Sequence, residues 1–375
     1  MFLEKEGKLI YSYDGETVCI EAWGKDALRV RATKNRSFTG RDWALEAKDA
    51  HAGEVEIFED PSAKGGAFAN MYEGTDTSYG KITNGKLHAV IDSGSVITFY
   101  HEDGRVLLKE HFRRLRDEES MPLNIMGREY SNGVGDNFRI VARFVARKGE
   151  KIFGMGQYQQ HELDLKGCML ELAQRNSQVS VPFYLSSIGY GFLWNNPGVG
   201  QVMFANNGTE WVTESGKEID YLVIAGDTPA EIEENYMTLT GKPPMMPEYG
   251  MGFWQCKLRY WNQEQLLSVA RKYKELGIPL DVIIVDFFHW TKQGEFKFDP
   301  KYWPDVPGMC RELKEMGIQV VVSVWPTVDI YSENFEEMKE KGYLVRTEHG
   351  VPLTMLCGGN EVFFDATNPD ARTYV

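Results

Sequence analysis

Two rhythms divide the chain. Up to about residue 240, apolar and polar positions alternate with a period of two. VCIEAWGKDALRVRAT (18–33), KLHAVIDSGSVITFYHEDGRVLLKE (86–110) and FRIVARFVA (138–146) read as half-buried strands separated by Gly, Asn and Asp turns. HEDGR at 101–105 carries the D-G signal of a tight hairpin. No fixed-period repeat is evident and no helices intervene, so a large β-sandwich is predicted rather than a βαβ array. Residues 230–240 (AEIEENYMTLT) read as a helix leading into GKPPMMPEYG (241–250), where three prolines and two glycines interrupt any regular element. We place the domain boundary there, giving domains 1–243 and 244–375.

From Tyr249 the period changes. GMGFWQCK (250–257) reads as a short strand, and EQLLSVARKYKEL (264–276) is helical, with Leu266, Leu267, Ala270, Tyr273 and Leu276 on one face. Gly277 closes that helix, and Ile278-Pro279 opens a strand that is apolar to Val285 except for Asp281. It then breaks into Asp286-Phe287-Phe288-His289-Trp290. Residues 308–316 (GMCRELKEM) and 334–342 (NFEEMKEKG) read as further helices, with IQVVVSVWP (318–326) a strand between them. In 361–375 an extended start gives way to a helix opened by Asn368-Pro369. Alternating strands and helices of this kind predict a parallel (β/α)₈ TIM barrel, whose active face lies at the C-terminal ends of the strands. Such a barrel takes about 250 residues, and 249–375 supplies its first half, so the barrel is unfinished at Val375. The fold class is therefore α/β plus all-β.

Charge and composition narrow the function. A net charge of −14 argues against nucleic acid or an anionic membrane as partner. No apolar run reaches the roughly 18–20 residues that span a bilayer. The start MFLEKEGKLIYSYDG lacks the apolar core of a signal peptide, which predicts a cytoplasmic protein and makes the sequons at Asn35 and Asn207 coincidental. The five cysteines are odd in number and widely spaced, without C-x-x-C, and read as free thiols rather than a zinc site. No metal or other cofactor is expected, and a homo-oligomer is compatible with these features. No G-x-S-x-G, P-loop or H-E-x-x-H motif gives serine, phosphate or zinc chemistry a foothold. What stands out is Asp286 among aromatics at a strand's C-terminal end. Sugar hydroxyls need strong acceptors and sugar C–H faces stack on rings, so the partner this cluster suits is an oligosaccharide.

The sequence resembles glycoside hydrolase family 31, the α-glucosidase and α-xylosidase family, over essentially its whole length. IFGMGQYQQHELDLKG (152–167) and QRNSQVSVPFYLSSIGYGFLWNN (174–196) are similar to its Y-G-x-G-[EQ] turn and its P-F-x-x-S-x-x-G-Y-G segment. IPLDVIIVDFF with FKFDPKYWPD resembles its strand-aspartate and F-x-[FW]-D-P signature, and VFFDATNPDARTYV its D-[FA]-T-N-P segment. DFFHWTKQG and VSVWPTVD look closest to the α-xylosidase-like branch. The resemblance implies a mutarotase-like sandwich before the barrel and retaining hydrolysis, in which two carboxylates about 5–5.5 Å apart act as nucleophile and acid. It puts both of those beyond Val375, so no catalytic residue is expected in this chain.

It also implies that Asp286 accepts sugar hydroxyls, that Trp325 is a stacking platform and that Val328 is an apolar pocket contact. Phe287 and Phe288 would crowd a C5 substituent and so favour xylose, which lacks the hydroxymethyl group. For Asp286 the competing reading is a loop cap or an ion pair with Lys292 or Arg259; for the aromatics it is plain core. Cys357 stands where many members carry a tryptophan, with Gly358-Gly359 beside it, which widens the pocket on that side. Asp281, Asp299, Asp305 and Asp365 read as structural. His289 and Trp290 read as loop or subsite-wall residues without an assigned role. Gly154 and Gly156 serve a tight turn, while Gln157, Gln159 and His161 either reach the pocket or form a polar seam. The leading expectation is an α-xylosidase-like exo-enzyme. An α-glucosidase, a non-catalytic carbohydrate-binding protein and, last, an epimerase-like activity of the sandwich are the alternatives.

Overall fold

A computed structural model of the protein describes residues 1–46, 49–59, 78–111, 113–114, 124–347, 349–355 and 360–375. The chain forms two compact units, Met1–Pro243 and Pro244–Val375. Among the described residues no helix is long and apolar enough to cross a membrane.

The first unit is built from antiparallel sheets around one apolar core. Its largest sheet has the central order Ala27–Thr33, Ile219–Ala225, Tyr190–Trp194, Val179–Ser186. One five-stranded sheet is centred on Leu87–Ile91, and another on Gly208–Gly216. Alternation does the layering. In Ile219–Ala225 every residue is buried: Ile219, Tyr221, Val223 and Ala225 enter the inter-sheet core. Leu222 and Ile224 turn to the opposite face, where the helix Pro229–Thr240 covers them with Ile232 and Leu239. Aromatic rings bridge the sheets; Phe144 meets Tyr221 edge-on at 5.4 Å, and Phe192 stacks on Trp211 at 5.1 Å. The D-G hairpin closes as the sequence predicts, with Gly104 at φ 85° and its N–H donating to His101 O at 2.9 Å.

One polar position interrupts that apolar strand. Asp220 is fully buried and takes a bidentate grip from Arg29, Nε to Oδ1 at 3.0 Å and Nη2 to Oδ2 at 2.7 Å, with Asn195 Nδ2 adding a third bond at 2.8 Å. Arg29→Met leaves the carboxylate buried without its cation, which costs about 3–5 kcal/mol. The expected result in scanning calorimetry is a fall in the unfolding midpoint of roughly 6–20 °C. A fall below about 2 °C would show that Asp220 does not depend on this partner.

The second unit begins as a parallel three-stranded sheet in the order Trp254–Gln255, Val282–Val285, Gln319–Val322. The helices Gln263–Glu275 and Val306–Glu315 follow its first two strands, and Leu266, Leu267, Ala270, Met309 and Leu313 pack on Ile283 and Val285. Three helices end by the same device. Gly277, Gly317 and Gly342 adopt φ of 63°, 80° and 70°, and the next N–H returns to the helix: Ile278 to Tyr273 O, Ile318 to Leu313 O, Tyr343 to Met338 O, at 3.0, 2.9 and 2.8 Å. This left-handed cap admits glycine without strain. The strand Gln319–Val322 stops short of the expected Pro326, whose missing N–H ends any ladder there. Thr327–Asp329 then pairs antiparallel with Glu361–Phe363. The first strand is likewise shorter than expected, because residues Glu248–Met251 form a 3₁₀ turn.

Candidate functional site

The parallel sheet brings three strand ends side by side. Cys256 follows the first, Asp286 the second, and Ser323-Val324-Trp325 the third, with Ser323 N–H donating to Val285 O at 2.9 Å as the last ladder bond. Asp286 is half-buried, and its one side-chain hydrogen-bond partner among the described residues is the Cys256 thiol, Sγ to Oδ2 at 3.9 Å. Desolvation, and after it the neighbouring carboxylate, push that exposed thiol's pKa up. Neither competing ion pair forms: Lys292 lies near the Tyr331 ring and Arg259 stacks on Trp261. Asp286 is thus a partly desolvated acceptor without a cation of its own.

The backbone turns sharply beyond it. Phe287 and Phe288 take left-handed φ of 49° and 56°, a conformation that costs a residue with a Cβ roughly 1–2 kcal/mol. Strain of this kind concentrates at functional sites, where the surroundings hold it in place. The two ring centroids are 4.0 Å apart, Phe288 is exposed, and Phe287 lies 5.1 Å from the half-buried Trp325. The structure therefore brings Asp286, Phe287, Phe288 and Trp325 to one place.

Val328 is not brought there. It is fully buried in a separate cluster with Phe335, Met338, Leu344 and Val362, because pairing of Thr327–Asp329 with Glu361–Phe363 turns it inward. Gly294 presses on it, since a Cβ there would lie 2.6 Å from the Val328 Cα. The structural readings of the other aspartates have visible partners. Asp281 accepts from Phe253 N–H at 3.0 Å, Asp299 from Lys301 N–H at 2.9 Å, Asp305 caps a helix at Gly308 N–H at 2.9 Å, and Asp365 accepts from Thr367 Oγ1 at 2.6 Å. Gly154 and Gly156 have φ of 114° and 92°, and a Cβ on Gly156 would meet Val179 O at 2.2 Å. Gln157, Gln159 and His161 are exposed on the first unit. Cys357, Gly358 and Gly359 lie outside the described residues.

Behind the turn, His289 is buried between Trp290 and Phe298, at 4.6 and 4.8 Å, with Nδ1 unpartnered. It lines a cavity of about 290 Å³ with Gln293 and Trp325. Burial lowers its pKa from 6.5 to about 4, against a weaker upward pull from Asp286. The unfolded chain therefore binds a proton that the folded chain refuses between pH 6.5 and about 4. The stability this neutral ring carries is present above pH 6.5 and lost as pH falls through that window. His289→Phe should flatten the fall in unfolding midpoint between pH 7 and 4.5; an unchanged slope would mean that His289 titrates as in free solution.

Sequence reasoning passes over Cys256, the side chain next to Asp286. The strand-end rule that singled out Asp286 applies equally to the first strand, but its end was set too late in the chain.

A carboxylate beside tilted aromatic planes at the C-terminal ends of a parallel β/α sheet offers a hydrogen-bond acceptor next to flat apolar faces. Residues 243–375 match the glycosyl hydrolases family 31 TIM-barrel domain, and 17–202 the glycosyl hydrolase 31 N-terminal galactose mutarotase-like domain. An uncharacterized family 31 glucosidase from Pseudescherichia vulneris is 42% identical over all of this chain and 69% of its own length. Alpha-xylosidase A of Aspergillus niger is 29% identical over 96% of this chain, which spans 49% of it. The crystal structure of a GH31 alpha-xylosidase from a soil metagenome, complexed with xylose, superposes with a TM-score of 0.88 at 46% identity, covering this whole chain and 54% of that one. The chain belongs to glycoside hydrolase family 31, a family of O-glycosyl hydrolases. It spans about half the length of the two alpha-xylosidases just named.

Proposed function

We propose that the full-length protein is a retaining exo-α-glycosidase that releases terminal α-linked xylose from small oligosaccharides in the cytoplasm. The observation that carries this reading is the half-buried Asp286, without a paired cation among the described residues, at the strand end that leads into the packed Phe287, Phe288 and Trp325 rings. Asp286 is an acceptor for sugar hydroxyls and Trp325 a stacking surface. Nucleophile and acid come from residues outside this chain. Similarity to proteins named alpha-xylosidase supports the choice of sugar.

Phe287 carries the selectivity. Its ring, fixed against Phe288 and Trp325, takes the volume that a C6 hydroxymethyl group needs. One such group accepted or rejected in a tight pocket is worth about 1–3 kcal/mol, so kcat/KM should favour α-xylosides over α-glucosides by roughly 10–200-fold. Phe287→Ile should narrow that ratio. Faster hydrolysis of isomaltose than of α-D-xylosyl-(1→6)-D-glucose would instead favour an α-glucosidase; the Pseudescherichia vulneris relative is named a glucosidase.

A further inference from the structure

The first unit carries an aromatic surface of its own. A cavity of about 710 Å³ opens where the loop 35–43 meets residues 213–218. Trp43 lines it, 48% exposed, on backbone with a left-handed φ of 53°. A residue with a Cβ enters this conformation only at a cost, which glycine escapes. Core packing does not offset that cost for an indole so open to solvent.

The loop is held in this strained form from beneath. Arg29 is fully buried and sends Nη1 to Asp42 Oδ1 at 2.7 Å and Nη2 to Arg41 O at 2.8 Å. Asn195, also buried, donates from Nδ2 to Asp42 O at 3.1 Å and accepts from Ala44 N–H at 3.2 Å. The backbone on both sides of Trp43 is therefore fixed while its ring borders open space. Strain that neighbours impose on a residue outside the core points to a role in binding.

The groups around the indole suit a glycan. The two carboxylates of the lining are already engaged: Lys217 Nζ donates to Asp136 at 2.8 Å, and Thr39 N–H and Oγ1–H donate to Glu218, both at 2.8 Å. Ser37, Ser215, Arg36 and Arg41 are exposed in the lining, and the Arg41 guanidinium carbon lies 5.8 Å from the Trp43 ring centroid. A pyranose lays its C–H face on an indole, and hydroxyl and guanidinium donors at the margin reach its oxygens. The volume falls within the roughly 300–1,000 Å³ of cavities that enclose small ligands.

We propose that this cavity is a second carbohydrate-binding site, which holds a neutral oligosaccharide on the Trp43 face without help from Asp286. The choice of a glycan rests on the glycosidase reading above; the strained and anchored Trp43 does not.

The test is isothermal titration of the 375-residue chain with cellotetraose bearing α-1,6-xylosyl branches. Asp286→Asn and Trp325→Ala together remove the other sugar site, and binding should persist in that background. Adding Trp43→Ala should weaken it at least about tenfold, as loss of an aromatic anchor does. Trp43→Gly should show the same loss with an unfolding midpoint no lower than its parent, because glycine takes φ 53° without strain. Unchanged affinity in Trp43→Ala, or no binding in the background, would overturn the proposal. A midpoint several degrees lower in Trp43→Gly would also overturn it, by making the ring structural. Trp43-dependent binding beside a full-length protein inert on α-xylosides would remove the glycosidase reading alone. Activity without that binding would remove this proposal alone.

Discussion

Residues 1–375 alone are expected to turn over no α-glycoside faster than a heat-inactivated sample, a loss of roughly 10⁴–10⁶-fold against the full-length enzyme. Retaining hydrolysis needs one carboxylate to attack the anomeric carbon and a second, about 5–5.5 Å away, to protonate the leaving oxygen. At the described strand ends the carboxylate of Asp286 has a thiol for its polar neighbour. An exposed thiol whose pKa is pushed up by desolvation and by the Asp286 carboxylate is a weak S–H donor and serves as neither general acid nor activated nucleophile. A panel of p-nitrophenyl α-glycosides measures this directly. Robust turnover by the 375-residue chain would place the chemistry among residues present here and overturn the assignment of the catalytic pair.

The second large effect belongs to Asp286. Asp286→Asn preserves shape but removes the charge, and a hydrogen bond to a charged acceptor is worth about 1.5–3 kcal/mol. The full-length enzyme should therefore lose about 10–100-fold in kcat/KM. No cation pairs with Asp286 among the described residues, so the substitution strands no partner, and stability should change little. A loss of many more orders of magnitude, restored by azide or formate, would make Asp286 the nucleophile instead.

Much of this architecture is legible in the sequence because local chemistry writes it there. The glycines at 277, 317 and 342 mark helix ends that require positive φ. Asn368-Pro369 opens a helix in which Asn368 Oδ1 accepts from Asp370 N–H at 2.9 Å. Asp286 is visible because a carboxylate terminates an apolar strand. What escapes the sequence depends on long-range pairing. Val328 looked like a pocket residue until its strand partner turned it into a core. No local rule puts consecutive phenylalanines at φ 49° and 56°, a geometry that the surrounding strand ends impose. The stacking of Arg259 on Trp261 and Phe288 joins side chains from two different strand ends, a contact that residue spacing does not encode.

The most direct test of the central claim is a crystal structure of the full-length protein soaked with xylose. The account predicts a ring between the Asp286 carboxylate and the Trp325 face, with at least one sugar hydroxyl about 2.5–3.0 Å from an Asp286 oxygen. A xylose bound at the catalytic carboxylates with Asp286 facing solvent, or held in a Lys or Arg ion pair, would contradict it.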